Sequence, residues 1–242
     1  MDNSNKQGLR LNQYMAHSGV CSRRKASDFI KEGKVLVNGE VMEALNYRVA
    51  PNDVVEFEGK VLSPYKKTYL LLNKSKNVIS TTSDPQGRKT VIDLVKKVNI
   101  PGLYPVGRLD RNTTGLIILT NDGDLTQKLA HPSFEVQKLY SVVLDKPVSE
   151  AHIKQLVSGV ELEEGIAKAD EAAYVQGQGK NCVGVKLHMG WNRVVRRMFD
   201  ALGYHVAKLD RVMYAHLTKK DLPRGKFRHL TEREVRQLKH FL

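Results

Sequence analysis

The chain has 242 residues, of which 39 are Lys or Arg and 26 are Asp or Glu, for a formal net charge of +13. A hydrophobic fraction of 41% with 27% charged residues describes a chain that folds around a core rather than a disordered one. Apolar runs such as Leu116-Ile117-Ile118-Leu119 fall far short of the roughly 18 residues that span a bilayer, and the only cysteines, Cys21 and Cys182, exclude a disulfide scaffold or a cysteine-rich zinc site.

In chain order, Arg10 to Ser18 reads as a short helix with Leu11, Tyr14 and Met15 on one stripe, closed by Gly19. Ser22 is a natural N-cap for a helix over Arg23 to Glu32, with Ala26, Phe29 and Ile30 as its buried stripe and Gly33 as its stop. Val35-Leu36-Val37 and Glu40-Val41 flank the hairpin signal Asn38-Gly39, and Val54 to Phe57 is a further strand ending at Gly59. Arg23, Arg24 and Lys25 occupy the first turn of the second helix, where the helix dipole disfavours cations. Phosphates would neutralise them.

Lys60 to Lys67, with Pro64 and its flanking lysines, reads as a linker, which divides the chain into a module over 8–61, a linker over 62–67 and a body over 68–242. The body opens with a strand over Thr68 to Lys74, a second over Val78 to Thr82, and a helix over Val91 to Lys97 capped by Thr90. Leu116 to Thr120 is a buried strand ending in the turn Asn121-Asp122-Gly123, after which Asp124 caps a helix over Leu125 to Ala130. Tyr140 to Leu144 is a strand, Ser149 caps a helix to Ser158, and strands follow at Ala172 to Val175 and Val183 to Met189. Asn192 to Leu202 is a basic helix closed by Gly203, and Thr231-Glu232-Arg233-Glu234 is a capping box for the last helix. The fold class is α+β, with a mixed, mainly antiparallel sheet in the body.

One segment carries chemistry. Gly107-Arg108-Leu109-Asp110-Arg111-Asn112-Thr113-Thr114-Gly115 sets a single carboxylate between two arginines and among hydroxyls, just ahead of an apolar strand. Arginines keep a carboxylate ionised, and an ionised carboxylate serves as a nucleophile, as an electrostatic stabiliser or as one half of a structural salt bridge.

The whole string resembles the catalytic motif of pseudouridine synthases, in the branch that modifies ribosomal RNA and carries an N-terminal S4 domain. Arg10-Leu11-Asn12-Gln13-Tyr14, Ser22-Arg23-Arg24-Lys25-Ala26 and Val35-Leu36-Val37-Asn38-Gly39 resemble that S4 RNA-binding domain, in order and spacing. The resemblance implies that Asp110 is the catalytic aspartate. It implies that Tyr140, in Lys138-Leu139-Tyr140, is the active-site tyrosine that stacks on the uracil. It also implies that Arg196, in Asn192-Arg193-Val194-Val195-Arg196-Arg197-Met198, pairs with Asp110. RNA contacts are expected from Arg10, Arg23, Arg24, Lys25, Lys34 and Asn38 in the small module. In the body they are expected from Arg108, Arg111, Thr113, Asn192, Arg193 and Arg197. The reaction needs no cofactor and no metal. Two motifs depart from the family pattern: Ser75-Lys76-Asn77 stands where Pro-x-Gly usually follows Asn73-Lys74, and Met189-Gly190-Trp191-Asn192 stands where Glu-Gly-Arg-Asn is common.

The charge supports a polyanionic partner. Residues 1–67 carry a net +3, residues 68–179 carry none, and residues 180–242 carry +10. Salt-sensitive association with RNA is expected. Ribosomal RNA is the implied partner: the stretch His131 to Tyr140 and Leu222-Pro223-Arg224-Gly225 look most like large-subunit members, with a small-subunit substrate or a non-catalytic ribosome-assembly role as the alternatives. A metal-dependent nuclease built on Asp110, Asp122 and Asp124 is a third reading, weakened because Asp122 and Asp124 look like turn and cap residues. Trp191 either stacks on RNA or anchors the core. Met1-Asp2-Asn3-Ser4-Asn5 has no apolar segment behind it, so a secretory signal is not expected; a monomer in the cytoplasm, with no membrane partner, is.

Overall fold

A computed structural model describes residues 8–240, so the reading of Met1-Asp2-Asn3-Ser4-Asn5 lies outside the described residues. The chain divides into two compact units, one up to Thr68 together with Asn99–Leu103, the other comprising Tyr69–Val98 and Tyr104–Leu242.

The first unit holds α1 (Leu11–His17), α2 (Arg23–Lys31) and a four-stranded sheet of β1 (Val35–Val37), β2 (Glu40–Val41), β3 (Val55–Phe57) and β4 (Lys60–Val61), in the order β2-β1-β3-β4. Both helices bury the expected stripes: Leu11 and Met15 from α1, Ala26 and Ile30 from α2, closed over Val35, Val55 and Phe57. Ser22 Oγ accepts from the Lys25 amide, a cap that contributes about 1 kcal/mol. Asn38 and Gly39 both take positive φ, +55° and +84°, the pair that a tight hairpin turn requires.

The expected linker starts too early. Lys60–Val61 pair with β3, Leu62 closes the module's core, and the Tyr65 amide donates to the His17 carbonyl. The polar flanks hid a strand that turns back at Glu58-Gly59.

The second unit is built on a nine-stranded sheet with the principal order β11-β12-β8-β13-β7-β5-β15. Its first elements are β5 (Tyr69–Lys74), β6 (Tyr104–Pro105), β7 (Thr114–Thr120), α3 (Gly123–Ala130) and β8 (Lys138–Leu144). Next come α4 (Glu150–Ser158), a separate hairpin of β9 (Val160–Leu162) and β10 (Gly165–Ala167), then β11 (Glu171–Tyr174) and β12 (Cys182–Leu187). The last are α5 (Val194–Ala201), β13 (Val206–Tyr214), β14 (Leu217–Thr218), β15 (Phe227–His229) and α6 (Glu232–His240).

All strand pairings given for this sheet are antiparallel except one. β13 runs parallel to β7, with Asp210 opposite Thr114 and Arg211 opposite Gly115. β5, β7, α3 and α6 contribute one apolar cluster; β8, β12, β13, α4 and α5 contribute another. No helix among the described residues is long and apolar enough to cross a membrane.

Several expectations for this unit need correction. Val78 to Thr82 is not a strand: only Ile79 bridges, to Thr90, because Ser80 turns its hydroxyl inward to the Leu109 backbone. Thr90 does cap, but with Asp93 as a capping box on turns and a 3-10 segment over Lys96–Val98, not on an α-helix. The β-branched run in Val91-Ile92 and the nearby Pro101 leave too little chain for stable α-helical turns. Asp122, not Asp124, is the N-cap of α3, accepting from the Leu125 amide. The basic helix begins at Val194, because Arg193 stands in the left-handed conformation at φ +50°. Ser149 caps α4, and Thr231 with Glu234 forms the expected reciprocal box on α6.

Candidate active site

The loop Gly107–Thr113 feeds β7 at the parallel junction with β13, and the physical demands there are severe. Gly115 has φ +109°, and a β-carbon on it would lie 2.3 Å from the Arg211 carbonyl oxygen and 2.5 Å from the Arg211 nitrogen. Only glycine lets the two parallel strands approach this closely. The loop is held from behind as well. Ser80 Oγ donates to the Leu109 carbonyl at 2.8 Å and accepts from the Leu109 amide at 3.1 Å. Lys74, fully buried at the end of β5, donates to the carbonyls of Val78 and Ser75 and, at 3.4 Å, to that of Arg111.

These supports present Asp110 to a cavity of about 190 Å³ together with Tyr140 and Lys138 from β8, Arg193 ahead of α5, and Arg211 from β13. Asp110 is the sole carboxylate among the residues that line it. Its side chain is 35% exposed, and an Nη1 of Arg193 stands 3.9 Å from its Oδ2. The left-handed turn at Arg193 keeps that residue out of the helix that follows.

The arginine nearest Asp110 is therefore Arg193 rather than Arg196. Arg196 is buried, its Nη1 donates to the Val206 carbonyl at 2.9 Å, and its Nε has no partner. Burial pushes its guanidinium down and the charge of Arg193 adds to that, while Asp110 and Asp200 oppose it, so the field of Asp110 reaches it. Burial also brings two lysines down to about 8. For Lys74 the pull of Asp110 opposes the shift and Arg224 and Arg211 reinforce it; for Lys138 Arg211 reinforces it and Asp170 opposes it. Behind the site, Asp210 ties the junction. Burial alone would raise its carboxyl, but Arg224 and Lys219 hold it down at about 2, and Thr114 Oγ1 donates to it at 3.0 Å.

The remaining expected contacts scatter. Arg108, Arg111 and Asn192 are exposed, and Arg108 lines the cavity. Thr113 lines it too, but is buried with its hydroxyl unpartnered. Arg197 is committed to Glu164 through two hydrogen bonds of 2.6 and 2.7 Å. In the first unit, Arg10, Arg23, Arg24, Lys25 and Lys34 are exposed; Lys34 pairs with Glu32, and Lys25 and Lys34 each lie within 6 Å of the Phe29 ring centre. Asn38 spends its amide on Asp53 and its carbonyl oxygen on the Val54 amide, so it builds the turn instead of offering a free group. Trp191 packs on the apolar cluster of α4 and α5 and lines the cavity, combining both expected roles' positions.

Sequence reasoning missed Ser80, Lys74, Asp210 and Arg211. A lysine closing an apolar strand was the available signal for Lys74. For β13 the alternation in Val206-Ala207-Lys208-Leu209-Asp210-Arg211 was obscured by charges that the fold consumes internally. Among the described residues no group of three or more His, Cys, Asp or Glu side chains is disposed to hold a metal ion.

Comparison with known proteins matches residues 68–201 to the family described as RNA pseudouridylate synthase and residues 9–55 to the S4 domain. The chain is 42% identical over 234 residues to the ribosomal large subunit pseudouridine synthase B of Bacillus subtilis, covering 95% of both chains. It is 35% identical over 230 residues to the dual-specificity RNA pseudouridine synthase RluF of Escherichia coli, covering 94% of this chain and 77% of that one. A solved pseudouridylate synthase superposes with a TM-score of 0.66 at 27% identity, covering 96% of this chain and 100% of the other.

Proposed function

The chain belongs to the RNA pseudouridylate synthase family, and from that premise we propose that it isomerises a uridine of large-subunit ribosomal RNA with Asp110 as the catalytic carboxylate. The observation that carries this reading is the cavity itself, in which one carboxylate faces four cations, Arg108, Lys138, Arg193 and Arg211, beside an aromatic ring.

Pseudouridine formation breaks the bond from uracil N1 to ribose C1′, turns the base and rejoins it through C5, with no redox change and no imported group. The Arg193 guanidinium stands 3.9 Å from the Asp110 carboxylate, and the backbone on either side is held by Ser80, at Leu109, and by Lys74, at Arg111. Asp110 is placed to engage ribose C1′, to add to the base or to take a proton in an elimination. Tyr140 supplies the ring against which an extruded uracil stacks, since a base inside a helix is out of reach. Arg196 acts through its field and its bond to Val206, as a positioning residue for the segment that carries Arg193. Arg23, Arg24 and Lys25, on a helix start without an acidic residue, would hold backbone phosphates.

The RNA-binding module over 8–61, extended to include Leu62, which closes its core, and the catalytic body over 68–242 form part of this proposal. So does action as a monomer in the cytoplasm. Large-subunit RNA is favoured by the likeness to the Bacillus subtilis protein. Mapping pseudouridines in ribosomal RNA from cells with and without the gene tests it: one large-subunit site should disappear. A site lost from small-subunit RNA instead would redirect the substrate, and an unchanged map would remove the activity.

A further inference from the structure

The reading above leaves one buried cation at the cavity without a task. Arg211 lies opposite Tyr140 across β13 and β8 and opposite Gly115 across β13 and β7. Opposed residues on neighbouring strands share a face, and Lys138, two residues before Tyr140, shares it too. All three line the cavity with Asp110.

Arg211 is 4% exposed. Its Nε donates to the Leu116 carbonyl at 2.7 Å, and its guanidinium carbon lies 4.6 Å from the centre of the Tyr214 ring. Those contacts fix the group's plane. Its Nη2 is buried with no acceptor, and among the described residues no carboxylate pairs with it within 4 Å. An unpaired buried N–H is costly, and on a side chain that lines a cavity a bound species can supply the missing acceptor.

We propose that Arg211 stabilises the negative charge of the detached uracil. The inference rests on the pseudouridine reading. When N1–C1′ breaks, the bonding pair stays with the base, so uracil separates as an anion whose charge is shared by N1, O2 and O4. The C5 carbon then supplies the pair for the new C5–C1′ bond, its proton is lost, and N1 gains one, so atoms and charge balance without a co-reactant. A fixed guanidinium N–H interacts most strongly when the base carries full charge, which is the condition for lowering a barrier. A guanidinium presents its N–H donors in a fixed plane, whereas the Lys138 ammonium beside it is brought down to about 8 by burial and by Arg211.

The test compares two full-length large-subunit rRNA transcripts, one tritiated at uracil C5 and one made with 5-fluorouridine. Fluorine at C5 stabilises the uracil anion by itself. Single-turnover tritium release reports the first; loss of the N1–C1′ linkage, read by nuclease digestion and mass spectrometry, reports the second. Arg211→Met should slow the uridine transcript about 100-fold and the fluorinated one about ten times less, with RNA affinity within about twofold of wild type. Equal slowing of both transcripts, an unchanged rate, or a loss wholly in RNA affinity would overturn the proposal. If Arg211→Met does not fold, the same ratio in Arg211→Lys decides, because lysine has no second fixed donor. No tritium release by the wild type would instead remove the underlying activity, so the two failures are distinguishable.

Discussion

Gly115→Ala tests whether the parallel junction builds the site. Glycine holds φ +109° there, and the added methyl would lie 2.3 Å from the Arg211 oxygen and 2.7 Å from Asp210 Oδ1. Backbone strain at positive φ costs about 1–2 kcal/mol for a residue with a β-carbon. Relieving the overlap means moving β13 away from β7 by roughly 1 Å, and forced displacements of packed elements cost about 1–3 kcal/mol more. Destabilisation of about 2–5 kcal/mol is therefore expected, against about 1 kcal/mol for Gly107→Ala, where φ is +69° but nothing lies within 4 Å of the new carbon. The functional loss should be larger still in proportion, since a 1 Å misplacement of a catalytic group costs about 100-fold in rate. Urea unfolding and tritium release from C5-labelled rRNA measure the two quantities. Equal stabilities for the two variants, or near wild-type turnover by Gly115→Ala, would refute the claim that close approach of β7 and β13 positions Asp110.

Three further outcomes follow from other parts of the molecule. Ser80→Ala leaves the buried Leu109 amide and carbonyl without their partner, so about 1–3 kcal/mol of stability should go, with a fall in kcat while RNA affinity holds; an unchanged kcat would detach Ser80 from the loop's function. Replacing Arg23, Arg24 and Lys25 together by Gln should reduce the slope of log affinity against log salt by about 2–3, and an unaltered slope would mean that phosphates are held elsewhere. Asp210 titrates at about 2 in the fold against an ordinary value of 3.8, so the stability it contributes is complete above pH 4 and lost as pH falls towards 2; Asp210→Asn should flatten that part of the acid unfolding curve, and an identical acid limb would contradict the assignment.

Much of the first unit was legible because its signals are local. Ser22, Asn38-Gly39 and the apolar stripes act within a few residues of themselves, and each does what its chemistry suggests. The second unit depends on partners far along the chain. Ser80 reads as a strand residue until the Leu109 backbone, 29 positions on, claims its hydroxyl. Arg224 bonds Asn73 and Asp210, and no local pattern announces a link across about 150 residues. The candidate site shows the same division. Asp110 and Tyr140 stood out in their motifs, and both line the cavity. The arginine beside Asp110 is Arg193, in a left-handed turn ahead of α5, three positions before the Arg196 that the resemblance implies. The overall charge of +13 is likewise divided by folding: Arg197, Arg224 and Arg228 are spent on Glu164, Asp210 and Glu234, while Arg23 and Arg24 stay exposed.

The central claim is that Asp110 performs the isomerisation while other groups hold the RNA. Asp110→Asn keeps the size and most of the hydrogen bonding of the side chain and removes only its charge. Tritium release from C5-labelled ribosomal RNA, measured beside RNA affinity, should fall to background in this variant with binding within a few-fold of wild type. Continued release by Asp110→Asn would contradict the account.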